Sequence, residues 1–125
     1  MTRRLVVIGD ALLDRDIVGA VTRLCPDAPV PVLDETSSVD RAGGAGLAAT
    51  LAAADGQDVA LVTALADDPA GARLCALLAA AGVDVYAVRQ PGATVEKIRL
   101  RSGRQTLLRL DRGGGGNRWD DPSPA

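Results

Sequence analysis

The sequence predicts an α/β fold, a partial parallel sheet flanked by helices and carrying a small β lid. Three observations lead there. Short aliphatic runs recur at residues 5–8, 59–65 and 83–88, Ala- and Leu-rich segments with helix signals separate them, and from residue 97 the pattern changes to alternation of apolar and basic side chains. Strands alternating with helices require right-handed crossovers, which lay the strands parallel and the helices outside.

The elements follow in order. Leu5-Val6-Val7-Ile8, closed by Gly9-Asp10, is a continuous apolar run that predicts a strand buried on both faces. Between Pro26 and Arg41, prolines, Val30, Val32 and Val39, and the polar Thr36-Ser37-Ser38 predict extended, edge-like segments around a turn, a flap more than a core element. Gly43-Gly44 then opens a helix over Ala45–Ala54, with Leu47 and Leu51 four apart on one face and Asp55-Gly56 as its stop. After the 59–65 strand, Asp68 supplies a capping carboxylate and Pro69 a first-turn proline for a helix reaching Ala81 and stopped by Gly82. Leu74, Leu77, Leu78 and Ala81 form its buried stripe. The strand pattern returns at 83–88.

Beyond the Pro91-Gly92 turn, Ile98 and Leu100 alternate with Lys97, Arg99 and Arg101, the mark of a hairpin with one wet face. A three-residue loop, Ser102-Gly103-Arg104, pairs Ile98 with Leu108, Lys97 with Arg109 and Arg99 with Leu107. That register groups Ile98, Leu100, Leu108 and Leu110, and gathers Lys97, Arg99, Arg101, Gln105 and Arg109 opposite them; a two-residue loop would mix the faces, which burial disfavours. The basic side is either an anion-binding surface or a solvated lid face. Residues 1–112 are thus one domain. Residues 113–125, rich in Gly and Pro with Trp119 their only bulky apolar group, are expected to be a disordered tail.

Composition removes several classes of function. With 14 Lys+Arg against 16 Asp+Glu there is no basic footprint for nucleic acid, and Tyr86 and Trp119 as the only aromatics leave no base-stacking platform. No His occurs, and Cys25 and Cys75 stand far apart, so neither a His-based triad nor a Cys/His metal cluster can be built. The cysteines are expected to be small buried hydrophobes. No apolar run is long enough for a membrane span or a signal-peptide core, which points to the cytoplasm.

Chemistry has few candidate carriers. Asp10 and Asp14 fall at and just after the carboxyl end of the first strand, where open α/β sheets bind ligands; a carboxylate there accepts hydrogen bonds from vicinal sugar hydroxyls or makes ordinary turn bonds. Gly43-Gly44-Ala45-Gly46 before a helix lets backbone approach a hydroxylated or anionic ligand, or lets helix and sheet pack closely. It is not a phosphate loop: Gly-x-x-x-x-Gly-Lys-Ser/Thr is absent, as is Gly-x-Gly-x-x-Gly after the first strand, which argues against a general nucleotide-binding module.

Jointly these residues are specific. Gly9-Asp10-Ala11-Leu12-Leu13-Asp14-Arg15, Pro26-Asp27-Ala28-Pro29-Val30-Pro31-Val32, Gly43-Gly44-Ala45, and Thr94 to Lys97 continuing to Leu107-Leu108-Arg109-Leu110-Asp111 resemble, in order, blocks of the ribokinase-like (PfkB) sugar kinases, nearest to their heptose 7-phosphate kinase domain. The resemblance covers residues 5–111 and corresponds to the amino-terminal half of such a domain.

It implies that Asp14 accepts hydrogen bonds from sugar hydroxyls, that Gly43 and Gly44 present backbone to the sugar, that the β segments at about 29–41 and 94–111 form the family's lid, and that Lys97, Arg99 and Arg109 hold the phosphate already on the substrate. ATP and Mg²⁺ serve the complete family domain, but the Gly-Ala-Gly-Asp segment that brings its catalytic base and anion hole is missing here. No catalytic residue is therefore assigned, and no cofactor or metal is expected to bind well to this chain alone. Leu47 stands where the family usually has Asn, which alters the sugar contacts. The expected partner is a small sugar phosphate, and the rival reading is a noncatalytic sugar-phosphate-binding or oligomerisation module. In that reading the chain pairs through its lid as a homodimer or is completed by a carboxyl-terminal partner domain.

Overall fold

The computed structural model describes residues 3–114. In chain order these form β1 (Arg4–Ile8), β2 (Ala11–Leu24), β3 (Pro31–Gly44), α1 (Ala45–Ala54), β4 (Asp58–Leu65), α2 (Pro69–Ala80), β5 (Val83–Arg89), β6 (Glu96–Ser102) and β7 (Gln105–Arg112). A three-stranded parallel sheet has the order β1-β4-β5, and a four-stranded lid has the order β3-β2-β6-β7. The α/β class and the lid are those expected.

The parallel sheet carries the core on one side. Val59, Leu61, Leu74, Leu78, Ala49 and Val83 are buried together, with Val7 and Val85 packed against them. These strand residues share one parity, so both helices cover the same face. Leu74 and Leu78 anchor α2 as its spacing predicted, and Asp68 caps it by accepting from the Gly71 amide at 2.8 Å.

β1 departs from expectation. It was to be buried on both faces, yet Leu5, Val6 and Ile8 are exposed, Ile8 to 77%. The reason is geometric: β1 is a sheet edge, and no described element covers the second face, where Val6 and Ile8 lie in register with Ala60 and Val62, and Tyr86 and Val88 with Val62 and Ala64. α1 is also turned from its expected orientation. Leu47 and Leu51 are exposed and the buried positions are Gly46 and Ala49, because small residues let the helix approach closely; a Cβ on Gly46 would meet Ala42 at 3.2 Å and Ala11 at 3.4 Å. The cysteines are free and only partly buried.

The lid holds two further corrections. The stretch after Asp10 continues as the 14-residue β2, pairing antiparallel with β3 and parallel with β6. The β6–β7 hairpin turns on Gly103-Arg104 alone, with Ser102 opposite Gln105, and an irregularity after Leu100 leaves Leu107 unpaired. That bulge adds the residue a two-residue loop lacks. Ile98 therefore faces Leu110, Leu100 faces Leu108 and Arg99 faces Arg109, so the apolar grouping survives with different partners. Thr106 instead of Gln105 joins the basic side, opposite Arg101. The expected tail lies outside the described residues from 115 onward. Among the described residues no helix is long and apolar enough to cross a membrane.

Candidate functional site

One face of the lid concentrates charge. Strand register places Arg41, Asp14, Lys97 and Asp111 in one row across β3-β2-β6-β7, Val39, Asp16, Arg99 and Arg109 in the next, and Ser37, Val18, Arg101 and Thr106 in a third. Cross-strand residues in register point to the same side of a sheet. Ion pairs then run diagonally: Arg99 to Asp14 at 3.3 Å, Arg41 to Asp16 at 2.7 Å and Arg101 to Asp16 at 3.6 Å, while Arg109 pairs along its own strand with Asp111 at 2.8 Å. The Asp111 carboxyl is held below its ordinary value chiefly by the Arg109 guanidinium, and Arg109 is raised in turn.

Asp14 lies inside β2 instead of in a loop, and its half-buried carboxylate packs on the Gly43 backbone: a Cβ at Gly43 would collide with the Asp14 side chain and with Leu12. Gly44 adopts φ 59° as the residue before α1, and a Cβ there would strike the Asp10 carbonyl. Only glycine meets both demands at that position. The Asp10 carbonyl accepts from the Ala45 amide at 2.9 Å, which ties the start of α1 to the end of β1. Asp10 is itself exposed and outside the charged rows. The structure thus brings together Asp14, Gly43, Lys97 and Arg99, with Gly44 beside them and Arg109 one strand further out.

Two junctions fix this lid to the helical layer. Thr94, fully buried just before β6, donates through its amide and hydroxyl to Asp68 at 2.8 and 2.7 Å, and the Ala66 amide donates to the Thr94 hydroxyl. Burial acts upward on the Asp68 carboxyl, but the Thr94 and Gly71 donors outweigh it and the net shift is downward. On the lid's other face Asp40 accepts from Arg15 of β2 and Arg73 of α2 at 2.7 and 3.0 Å. Burial again acts upward there, and the two guanidiniums again make the net shift downward.

Sequence reasoning missed Asp16, the one buried acid on the charged face, and did not single out Arg41. The available signal was a period of two, Leu13, Arg15 and Ile17 against Asp14, Asp16 and Val18. A cavity of about 270 Å³ lies apart from this face, lined by Leu65, Asp68, Gly71, Cys75 and Arg89 among others. Its carboxylate Asp68 is already committed to Gly71 and Thr94. Among the described residues no set of acidic or Cys side chains converges as metal ligands.

Comparison with known proteins agrees with this architecture. The profile of the pfkB family of carbohydrate kinases matches residues 2–114. The bifunctional protein HldE of Streptomyces coelicolor is 50% identical over 111 residues, which are 89% of this chain and 24% of that protein. HldE of Methylococcus capsulatus is 45% identical over 109 residues, 86% of this chain and 23% of that protein. Among solved structures, a carbohydrate kinase from Agrobacterium tumefaciens superposes with a TM-score of 0.72 at 21% identity, over 90% of this chain and 36% of that one. Fructokinase with bound ATP from Xylella fastidiosa gives 0.62 at 22% identity, over 91% and 33%. The chain therefore spans about a quarter of these sequence relatives and about a third of these structures.

Proposed function

Since this chain belongs to the pfkB family of carbohydrate kinases, we propose that it carries the acceptor-sugar side of a kinase acting on a heptose 7-phosphate-like substrate. In this reading Asp14 accepts hydrogen bonds from sugar hydroxyls, Gly43 and Gly44 bring backbone against the ring, and Lys97, Arg99 and Arg109 face the substrate's phosphate. The observation that carries it is the packing of the Asp14 carboxylate on Gly43 in the same row as Lys97, with Arg99 in contact. A carboxylate beside bare backbone suits a hydroxyl, and nearby guanidiniums suit an anion. The proposed setting is cytoplasmic.

Phosphoryl transfer needs an oriented acceptor, a neutralised nucleotide and a group to take the hydroxyl proton. This chain's residues answer to the first need. For Mg²⁺ the described residues do not fit: Asp14, Asp16 and Asp111 are each engaged by arginine, and among those residues no metal-ligand set converges. The 125-residue chain is accordingly expected to bind a heptose 7-phosphate at millimolar concentration, seen as NMR shifts at Asp14 and Gly43, and to turn over no ATP. Asp14→Asn should abolish those shifts. Sugar-phosphate-dependent ATP hydrolysis by the purified chain would falsify the inactive-alone reading.

The uncovered sheet face supports a second reading, a noncatalytic module completed by a carboxyl-terminal partner domain or, through the lid, by a second copy. Parallel sheets are normally covered on both faces, and Val6, Ile8, Tyr86 and Val88 are exposed together. Sedimentation decides here. A monomer at all concentrations tested disfavours its second-copy form.

A further inference from the structure

Asp16 differs from every other acid on the charged face. Asp14 and Asp111 each pair with one arginine, whereas Asp16 is shared by two, Arg41 from β3 and Arg101 from β6, both directed at its Oδ2 atom. Its side chain is nine-tenths buried, and among the described residues its Oδ1 atom has no hydrogen-bond partner. The Nε atom of Arg101 is likewise buried without an acceptor. A buried ionic group with unfilled hydrogen-bond capacity is costly unless something completes it. One carboxylate between two guanidiniums also leaves a local positive excess, and each guanidinium keeps donors that Asp16 does not use.

Position gives this excess a meaning. Asp16 follows Asp14 by two residues on the same strand face, a step of about 7 Å. That is comparable to the reach from a ring hydroxyl to the terminal phosphate of a sugar phosphate. We propose that Asp16 is a positioning residue that holds Arg41 and Arg101 as a two-armed clamp for the substrate's phosphate, one step along β2 from Asp14. Arg99 stays with Asp14 and Arg109 with Asp111. The inference rests on the sugar-phosphate reading above and changes which arginines touch the anion.

The test follows the arginine Nε–H signals of the full 125-residue chain during titration with inorganic phosphate, a heptose 7-phosphate and the same heptose unphosphorylated. Inorganic phosphate and the phosphorylated sugar should shift Arg41 and Arg101. Asp16→Asn should weaken both phosphate ligands roughly tenfold and the unphosphorylated sugar less than about twofold, with partial recovery in Asp16→Glu. Arg101→Gln, at a partly exposed position, should reproduce the selective loss and serves if Asp16→Asn fails to fold. Equal weakening of all three ligands would reveal a merely structural role and overturn the clamp. So would a response confined to Arg99 and Arg109, which would leave the sugar-phosphate reading intact. No response to inorganic phosphate also overturns the clamp, whereas a phosphate response at Arg41 and Arg101 with no effect of either sugar keeps it and removes the sugar.

Discussion

The two sheets are held by different forces. In the parallel layer Val59, Leu61, Leu74 and Leu78 are buried into one aliphatic cluster. In the lid only Leu13 and Ile98 among the large apolar residues are comparably buried, Leu108 and Leu110 are exposed, and the charged face is a lattice of diagonal ion pairs. Aliphatic burial contributes about 25 cal/mol per Å² and is indifferent to pH, whereas exposed pairs contribute about 0–1 kcal/mol and are screened by salt. Aliphatic burial and clustered charge therefore dominate different layers. The lid that carries this closely spaced charge is anchored to the helical layer through Thr94–Asp68 and Arg73–Asp40.

The largest effect should come from the layer that bears the core. Leu78→Ala is expected to cost about 2–5 kcal/mol in denaturant unfolding. A comparable cost for Leu108→Ala in β7 would break the contrast. Next is the junction, where Asp68→Ala removes the α2 cap and strands the Thr94 amide and hydroxyl, for about 2–3 kcal/mol, read in the same assay. Gly43→Ala is expected to cost about 1–2 kcal/mol by displacing Asp14 and to erase the sugar-induced NMR shifts at that residue.

Acid should separate the layers further. The Asp40 and Asp68 carboxyls sit below their ordinary value in the folded chain. Their contribution is fully present above the unfolded value of about 3.9 and is lost as pH falls through the folded values, so stability should decline below about pH 4. Hydrogen exchange should show the β6–α2 junction opening before the α2–β4 core. The smallest effect is expected from Leu108→Thr, within about 0.5 kcal/mol, because that side chain already faces solvent.

Legibility in the sequence followed the same division. The helix over Pro69–Ala80, its Asp68 cap and its Leu74/Leu78 stripe could be read because capping and spacing are local. The 14 residues of β2 could not be assigned as a strand, because their polar face reads as a loop until a partner is known. Leu47 and Leu51 suggested the wrong face of α1: hydrophobicity marks what could be buried, and the close approach of Gly46 and Ala49 determined what was. The hairpin's faces were predicted and its turn was not, since a bulge at Leu107 satisfies the same burial with a shorter loop.

By itself the sequence determined the α/β class and the family to which its ordered blocks belong, because glycine requirements, caps and alternation are imposed over a few residues. Only the tertiary structure decided that Asp16 is buried between Arg41 and Arg101, that Arg99 is paired to Asp14, and that the described residues leave one face of the parallel sheet bare. These depend on which strands become neighbours, and strand order is set by the global packing of the chain.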